Sequence, residues 1–151
     1  MKFTDVNPFT KKQQSQINKS IISTVKKRDF ILGKNVGRFE KNFSTLSNSK
    51  YAVGCATGTD ALILALKSLN LKKNHEVIIP GMSYVSTGLA VALNNVKIVF
   101  ADINDQTGLI SLESVRKKLS KNTKVVIPVN LYGQKINVRL LRQIVGKRVF
   151  I

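Results

Sequence analysis

Glu76-Val77-Ile78-Ile79-Pro80-Gly81 opens a passage that runs on through residues 84–93 and closes on Lys97-Ile98-Val99-Phe100-Ala101. The two outer stretches are short apolar runs bounded by turn-forming residues, the pattern of strands buried on both faces. The middle stretch is rich in small residues and long enough for a helix. A strand, a helix and a second strand in succession make the unit from which parallel sheets are assembled.

Downstream the alternation continues. Residues 104–108 hold the polar and glycine residues of a turn. Ser111 caps a helix reaching about residue 119, with Ser114 among its early residues. Residues 124–129 read as a buried strand, and Val125-Val126-Ile127 suits a central parallel position. A helix over 136–145 follows, and 149–151 begins one more strand. Upstream, 58–69 predicts a helix with Leu62, Leu66 and Leu69 on one face. Residues 51–55 read as a strand. Ile17, Ile21, Ile22 and Val25 stand at helical spacing within 11–28 and predict an amphipathic helix. Gly33 and Gly37 bracket a turn, and a short helix over 36–46 should bury Phe39, Phe43 and Leu46. Residues 1–10 read as extended or irregular, with Pro8 blocking an early helix. The fold class predicted is α/β, a three-layer α-β-α arrangement around a mainly parallel sheet. Three residues from Val149 do not complete a strand, so a truncated domain is expected.

The chain has 151 residues, 43% hydrophobic and 22% charged, enough for a core in an ordinary globular domain. Its apolar runs are too short to cross a bilayer, no signal-peptide core opens it, and a cytoplasmic location is the default expectation. The single cysteine, Cys55, forms no internal disulfide and fits a reducing compartment. It reads as a small buried side chain, because the lone histidine, His75, sits in a polar connection rather than beside it. The net charge of +17 raises the question of nucleic acid. The basic residues are scattered in short clusters, without zinc-finger spacing or an aromatic RNA-binding motif, which argues against that partner.

Chemistry concentrates in Cys55-Ala56-Thr57-Gly58-Thr59-Asp60-Ala61-Leu62, placed between a predicted strand and a predicted helix. Free backbone N–H groups at a helix start attract anions, and glycine lets a phosphate come close. Thr57 and Thr59 add hydroxyl donors. Asp60 favours the helix dipole but would repel a phosphate, so it should point aside. A plain Thr/Gly helix cap explains the same residues equally well. Neither the P-loop pattern nor the dinucleotide glycine fingerprint occurs, and Gly33-Lys34-Asn35-Val36-Gly37 lacks the strand and hydroxyl a phosphate loop needs.

Five blocks in register resemble the DegT/DnrJ/StrS family of sugar aminotransferases. They are Gly37-Arg38-Phe39-Glu40, Thr57 to Leu62, Glu76 to Thr87, Val99-Phe100-Ala101-Asp102-Ile103, and Thr123 to Val129 running into Asn130-Leu131-Tyr132-Gly133-Gln134. The resemblance implies the large domain of aspartate-aminotransferase-type (fold type I) enzymes. It implies pyridoxal 5'-phosphate as cofactor, and a nucleotide-linked keto-sugar aminated from a donor such as glutamate. A homodimer when full length, and a role in polysaccharide or amino-sugar biosynthesis, also follow from it. On this resemblance 1–28 is an N-terminal segment and helix, and 29–151 is part of the cofactor-binding domain. Thr57, Gly58 and Thr59 would hold the cofactor phosphate. Tyr84 would stack on the pyridine ring, against the alternative of a core aromatic. Asn130, at the end of a central strand, would touch substrate or cofactor, against the alternative of a turn-stabilising amide. Asn74-His75 stands where the family has Gly-Asp, and Met82-Ser83 replaces a more usual aromatic or hydroxyl pair. The family's catalytic lysine, and the aspartate and glutamine near it, have no counterpart through Ile151. No catalytic residue is assigned. The other classes open at this stage are a non-catalytic binding module of the same fold and a basic nucleic-acid-binding protein.

Overall fold

A computed structural model describes residues 9–151. They form two compact units that meet in sequence between Gly54 and Cys55.

The first unit contains α1 (Lys11–Lys27) and α2 (Lys34–Leu46). Thr10 begins α1 with a reciprocal cap. Its hydroxyl accepts the Gln13 N–H, and the Gln13 side chain accepts the Thr10 N–H at 2.9 Å. The helix α2 starts earlier than the glycine spacing predicts, so Gly37 lies inside it rather than closing a turn. Asp29 is the cause. Its carboxylate accepts the Lys34 N–H at 3.0 Å, and it lies so close to Gly33 that any Cβ there would collide with it.

Two expectations fail in this unit. Phe39, Phe43 and Leu46 are exposed, Leu46 to 83%, although the two rings stack with centroids 5.7 Å apart. Neither helix has a buried residue, since two short helices cannot enclose an apolar stripe by themselves. Residues 51–55 form no strand. Tyr51 and Val53 are exposed, and the Gly54 N–H donates to the Glu40 carboxylate at 2.8 Å instead of to a ladder. Strand-favouring residues without a partner strand stay irregular. The extended reading of 1–10 falls, up to Pro8, outside the described residues.

The second unit runs α3 (Gly58–Ser68), β1 (Glu76–Pro80), α4 (Ser86–Leu93), β2 (Lys97–Ala101), α5 (Leu112–Lys118), β3 (Thr123–Val126) and α6 (Val138–Val145). The strands are parallel, in the order β2-β1-β3. Phe150 pairs in parallel with Val125, its N–H donating to the Lys124 carbonyl at 2.8 Å. So β3 is flanked on both sides, as its apolar run suggests. All five residues of β1 are buried. Ile78 points to one face, where it packs with Val126 and with Val115, Leu141 and Val145 of α5 and α6. Val77 and Ile79 point to the other, with Val125 and with Leu66, Ala90 and Val91 of α3 and α4. This alternation produces the three layers the sequence predicts.

Boundaries differ where local chemistry intervenes. β3 ends at Val126 rather than 129. The Ile127 N–H still reaches the Ile78 carbonyl at 2.9 Å, but Pro128 has no N–H to continue the ladder. α6 begins at Val138 because Asn137 caps it, accepting the Leu140 N–H at 3.0 Å. Ser111 caps α5 as expected, accepting the Ser114 N–H. The buried Ser114 hydroxyl accepts the Asp102 N–H at 2.9 Å, which fastens α5 to the end of β2.

At the opposite ends of the strands, Glu76 joins all three. It pairs in register with Lys97 and Thr123, receives the Lys97 ammonium at 2.9 Å, and accepts from the Ser120 hydroxyl. These donors, Lys97 first, hold its carboxyl below the usual carboxylate range.

Candidate functional site

Parallel strands bring their carboxyl ends to one edge of the sheet, the edge where open α/β sheets bind ligands. Here that edge carries the segments after β1 (81–85), after β2 (from Asp102) and after β3 (127–137). The helix α3 joins the amino end of β1 through 69–75 and packs on its face. It therefore runs against the strands, and its N-terminus points toward the same carboxyl edge.

That N-terminus holds Thr57, Gly58 and Thr59. Thr57 is the cap residue. Its hydroxyl oxygen accepts the Asp60 N–H at 3.0 Å and its hydroxyl donates to the Asp60 carboxylate at 2.7 Å. Asp60 is thus turned back onto the cap. The Ala61 N–H is taken by the Thr57 carbonyl at 3.0 Å. The N–H groups of Gly58 and Thr59, orphan donors of the helix start, have no partner among the described residues. A Cβ added at Gly58 would meet nothing within 4 Å, so no protein atom demands glycine there.

Tyr84 lies in the connection between β1 and α4. Its carbonyl accepts the Thr87 N–H at 3.1 Å, while its ring is 74% exposed. It is not a core aromatic. Asn130 lies beyond β3 and its Oδ1 accepts the Ile136 N–H at 3.0 Å, so the turn-stabilising role is realised. Its amide nitrogen has no partner among the described residues. Cys55, expected to be buried, is exposed, because the segment before it never enters the sheet. His75 accepts the Lys72 N–H through Nδ1 at 3.1 Å and stands at the amino edge, away from the cysteine's segment in the fold.

Residue patterns missed the backbone of the loop after β3. Tyr132 takes a left-handed conformation, φ 52°, and its side chain is 90% exposed. Tyrosine is not a residue from which positive φ is anticipated; the available signal was Gly133 beside it, at φ 80°. The Gln134 side chain then donates to the Thr107 carbonyl at 3.0 Å, tying this loop to the turn after β2. Among the described residues no cluster of His, Cys, Asp and Glu could hold a metal ion, and no helix is long and apolar enough to cross a membrane.

The arrangement is a set of free donors at a helix start, an exposed aromatic ring and a free amide on segments sharing one sheet edge. It suits a ligand with an anionic group and a flat ring. Comparison with known proteins gives a consistent picture. Residues 11–149 match the sequence model of the DegT/DnrJ/EryC1/StrS aminotransferase family. The UDP-2-acetamido-2-deoxy-3-oxo-D-glucuronate aminotransferase of Pseudomonas aeruginosa is 33% identical over 134 residues, covering 89% of this chain and 37% of that protein. The GDP-perosamine synthase of Vibrio cholerae is 35% identical over 112 residues, covering 74% and 30%. Among solved structures, the E. coli GDP-4-keto-6-deoxy-D-mannose-3-dehydratase with bound hydrated PLP superimposes with a TM-score of 0.84 at 28% identity, covering 96% of this chain and 38% of that one. The chain thus spans well under half the length of these relatives.

Proposed function

Because the chain belongs to the DegT/DnrJ/EryC1/StrS aminotransferase family, we propose that it is the N-terminal part of an enzyme that aminates a nucleotide-linked keto-sugar. In this reading the cofactor is pyridoxal 5'-phosphate, the amino donor is glutamate or a similar amino acid, and the pathway is amino-sugar or polysaccharide biosynthesis. The full-length enzyme is a cytoplasmic homodimer. When bound, pyridoxal phosphate supplies an electron sink for amino transfer.

The chain's own residues fit a part of that work. The N–H groups of Gly58 and Thr59 and the Thr59 hydroxyl bind the phosphate, which approaches through the open space over Gly58. Thr57 holds the helix start in place through its cap on Asp60. Tyr84 offers its exposed ring as a stacking surface for the pyridine. Asn130 keeps its carbonyl on the Ile136 N–H and presents its amide nitrogen to substrate or cofactor. In this reading the family's catalytic lysine is not among these residues, which bind and orient but do not move the reacting proton.

The observation that carries this reading is the pair of unpartnered N–H groups beside an unrequired glycine, on the edge that also bears Tyr84. The first test is direct binding of pyridoxal phosphate by the 151-residue chain, followed by tyrosine fluorescence and equilibrium dialysis. Saturable binding that inorganic phosphate competes away supports the proposal, and the same chain should show no amination. Absence of any phosphate-competed binding, or turnover by the chain alone, would each count against it.

A further inference from the structure

The second unit separates its acids from most of its bases by edge, with Lys135 and Arg139 the bases that stand on the carboxyl side. Its acids other than Glu76 stand on the carboxyl side: Asp60 in the first turn of α3, Asp102 after β2, Asp105 in the next turn, and Glu113 in the first turn of α5. Glu76 is at the amino edge, but it is buried and paired. The strand starts at that amino edge carry Lys72, Lys73, Lys121, Lys124, Lys147 and Arg148. The helices end there too, with Lys67 and Lys118 in their last turns. Pairing to helix dipoles accounts for the last two but not for the cations at the strand starts. Among the described residues the only ion pairs are Lys97 with Glu76 and Lys117 with Glu113, so the rest of this edge is unneutralised.

We propose that this amino edge is a docking surface for an anionic lipid bilayer. Its shape and composition select that occupant. The connections that form it among the described residues, 69–75, 94–96, 119–122 and 146–148, are short, so none adds an element that could wall a cleft around a duplex. They contain no Phe, Tyr or Trp, and their one histidine, His75, is half-buried with its Nδ1 accepting the Lys72 N–H, so they offer no open platform for a nucleotide base. Lysine predominates over arginine, giving flexible point charges rather than planar forks. A level, lysine-rich surface without exposed acids matches a sheet of phosphate headgroups, to which each nearby cation adds attraction. The surface lies at the far end of the strands from Thr57, Gly58 and Tyr84, so docking there leaves the candidate cofactor edge free. The inference does not depend on the aminotransferase reading.

The experiment is sedimentation of the 151-residue chain with vesicles of phosphatidylcholine alone and of phosphatidylcholine containing phosphatidylglycerol. Binding should require the anionic lipid and fall with added salt. The variant combining Lys72→Gln, Lys73→Gln and Lys121→Gln should lose about a hundredfold in affinity. A control combining Lys11→Gln, Lys12→Gln and Lys19→Gln on α1, with the same change in net charge, should lose little. Equal losses in the two variants would overturn the proposal, since general basicity would then explain the binding. Binding to neutral vesicles alike, or to duplex DNA without binding to vesicles, would overturn it too. If the edge variant fails to fold, lysine acetylation of the unaltered chain decides. Vesicles should protect Lys72, Lys73 and Lys121 over the lysines of α1, and uniform protection would refute the assignment.

Discussion

Replacing Gly58 by alanine should move stability and cofactor affinity in opposite directions. Gly58 is the first residue of α3, and a Cβ there meets nothing within 4 Å. Alanine fits without strain and loses less backbone entropy on folding, so the chain should gain about 0.4–1 kcal/mol. The new methyl group, however, fills the space through which a phosphate would reach the N–H groups of Gly58 and Thr59. A hydrogen bond to a charged group contributes about 1.5–3 kcal/mol. Weakening one such bond should cost about tenfold to a hundredfold in affinity. Urea denaturation of Gly58→Ala and the unaltered chain measures the first effect, and equilibrium dialysis against pyridoxal phosphate measures the second. Two results would refute the reasoning. Destabilisation would mean that packing requires the glycine after all. Unchanged affinity would mean that the phosphate does not approach there.

Thr57→Ala removes the hydroxyl that accepts the Asp60 N–H, and should cost about 1 kcal/mol of stability in the same denaturation experiment. Tyr84→Ala deletes a ring that is 74% exposed; stability should stay within about 0.5 kcal/mol, while dialysis should show weaker cofactor binding. Glu76→Gln should destabilise the chain at pH 7 by about 1–3 kcal/mol, toward the lower end because Lys97 is largely in solvent. Since its partners hold the Glu76 carboxyl below its ordinary value of 4.5, its stabilisation is complete above that pH and is lost as pH falls through the folded value. Urea titrations at a series of pH values should show the gap between the two proteins narrowing as pH falls below 4.5, and a gap that stays constant into strong acid would count against the assignment.

The second unit was legible because its signals are local and agree with one another. Apolar runs such as Val77-Ile78-Ile79 are buried on both faces only when helices cover both, and the intervening helices have the matching period. Ser111 was readable as a cap because the side chain and the N–H it accepts are three residues apart. The failures came where a long-range partner decides. Residues 51–55 have strand composition but pair with no strand among the described residues, and that cannot be read from the residues themselves. The apolar face of α2 has helical spacing, yet periodicity says what a face would bury and not whether a cover exists. The early start of α2 depends on Asp29 reaching over five residues, a cap outside the usual register. Within the site, Thr57, Gly58 and Tyr84 could be nominated from sequence, but the left-handed Tyr132 could not, because its conformation follows from the loop it closes.

The cap and the proposed anion site, which fit Thr57-Gly58-Thr59 equally well as a sequence, would draw on different atoms of the helix start. Thr57 spends its hydroxyl oxygen on the Asp60 N–H, and its carbonyl takes the Ala61 N–H. Four N–H groups at this helix start, those of residues 57–60, have no intrahelical carbonyl, and the cap satisfies the innermost, on Asp60. Those of Gly58 and Thr59 have no partner among the described residues, and a Cβ on Gly58 would meet nothing within 4 Å. A cap that satisfied every donor would leave an anion nothing to bind, and a helix start with no cap would fray and lose the orientation of its N–H groups. Asp60 fits the same division. Its carboxylate is drawn onto the Thr57 hydroxyl at 2.7 Å, which neutralises part of its acceptor demand and keeps it in the cap. The Thr57→Ala variant therefore separates direct from indirect roles. If Thr57 acts on a phosphate only by holding the helix start, its loss should weaken binding in proportion to fraying, and Thr57→Ser, which can restore the cap hydrogen bond, should recover both stability and affinity together. Recovery of stability without recovery of affinity would mean that the threonine methyl group itself contributes to the site.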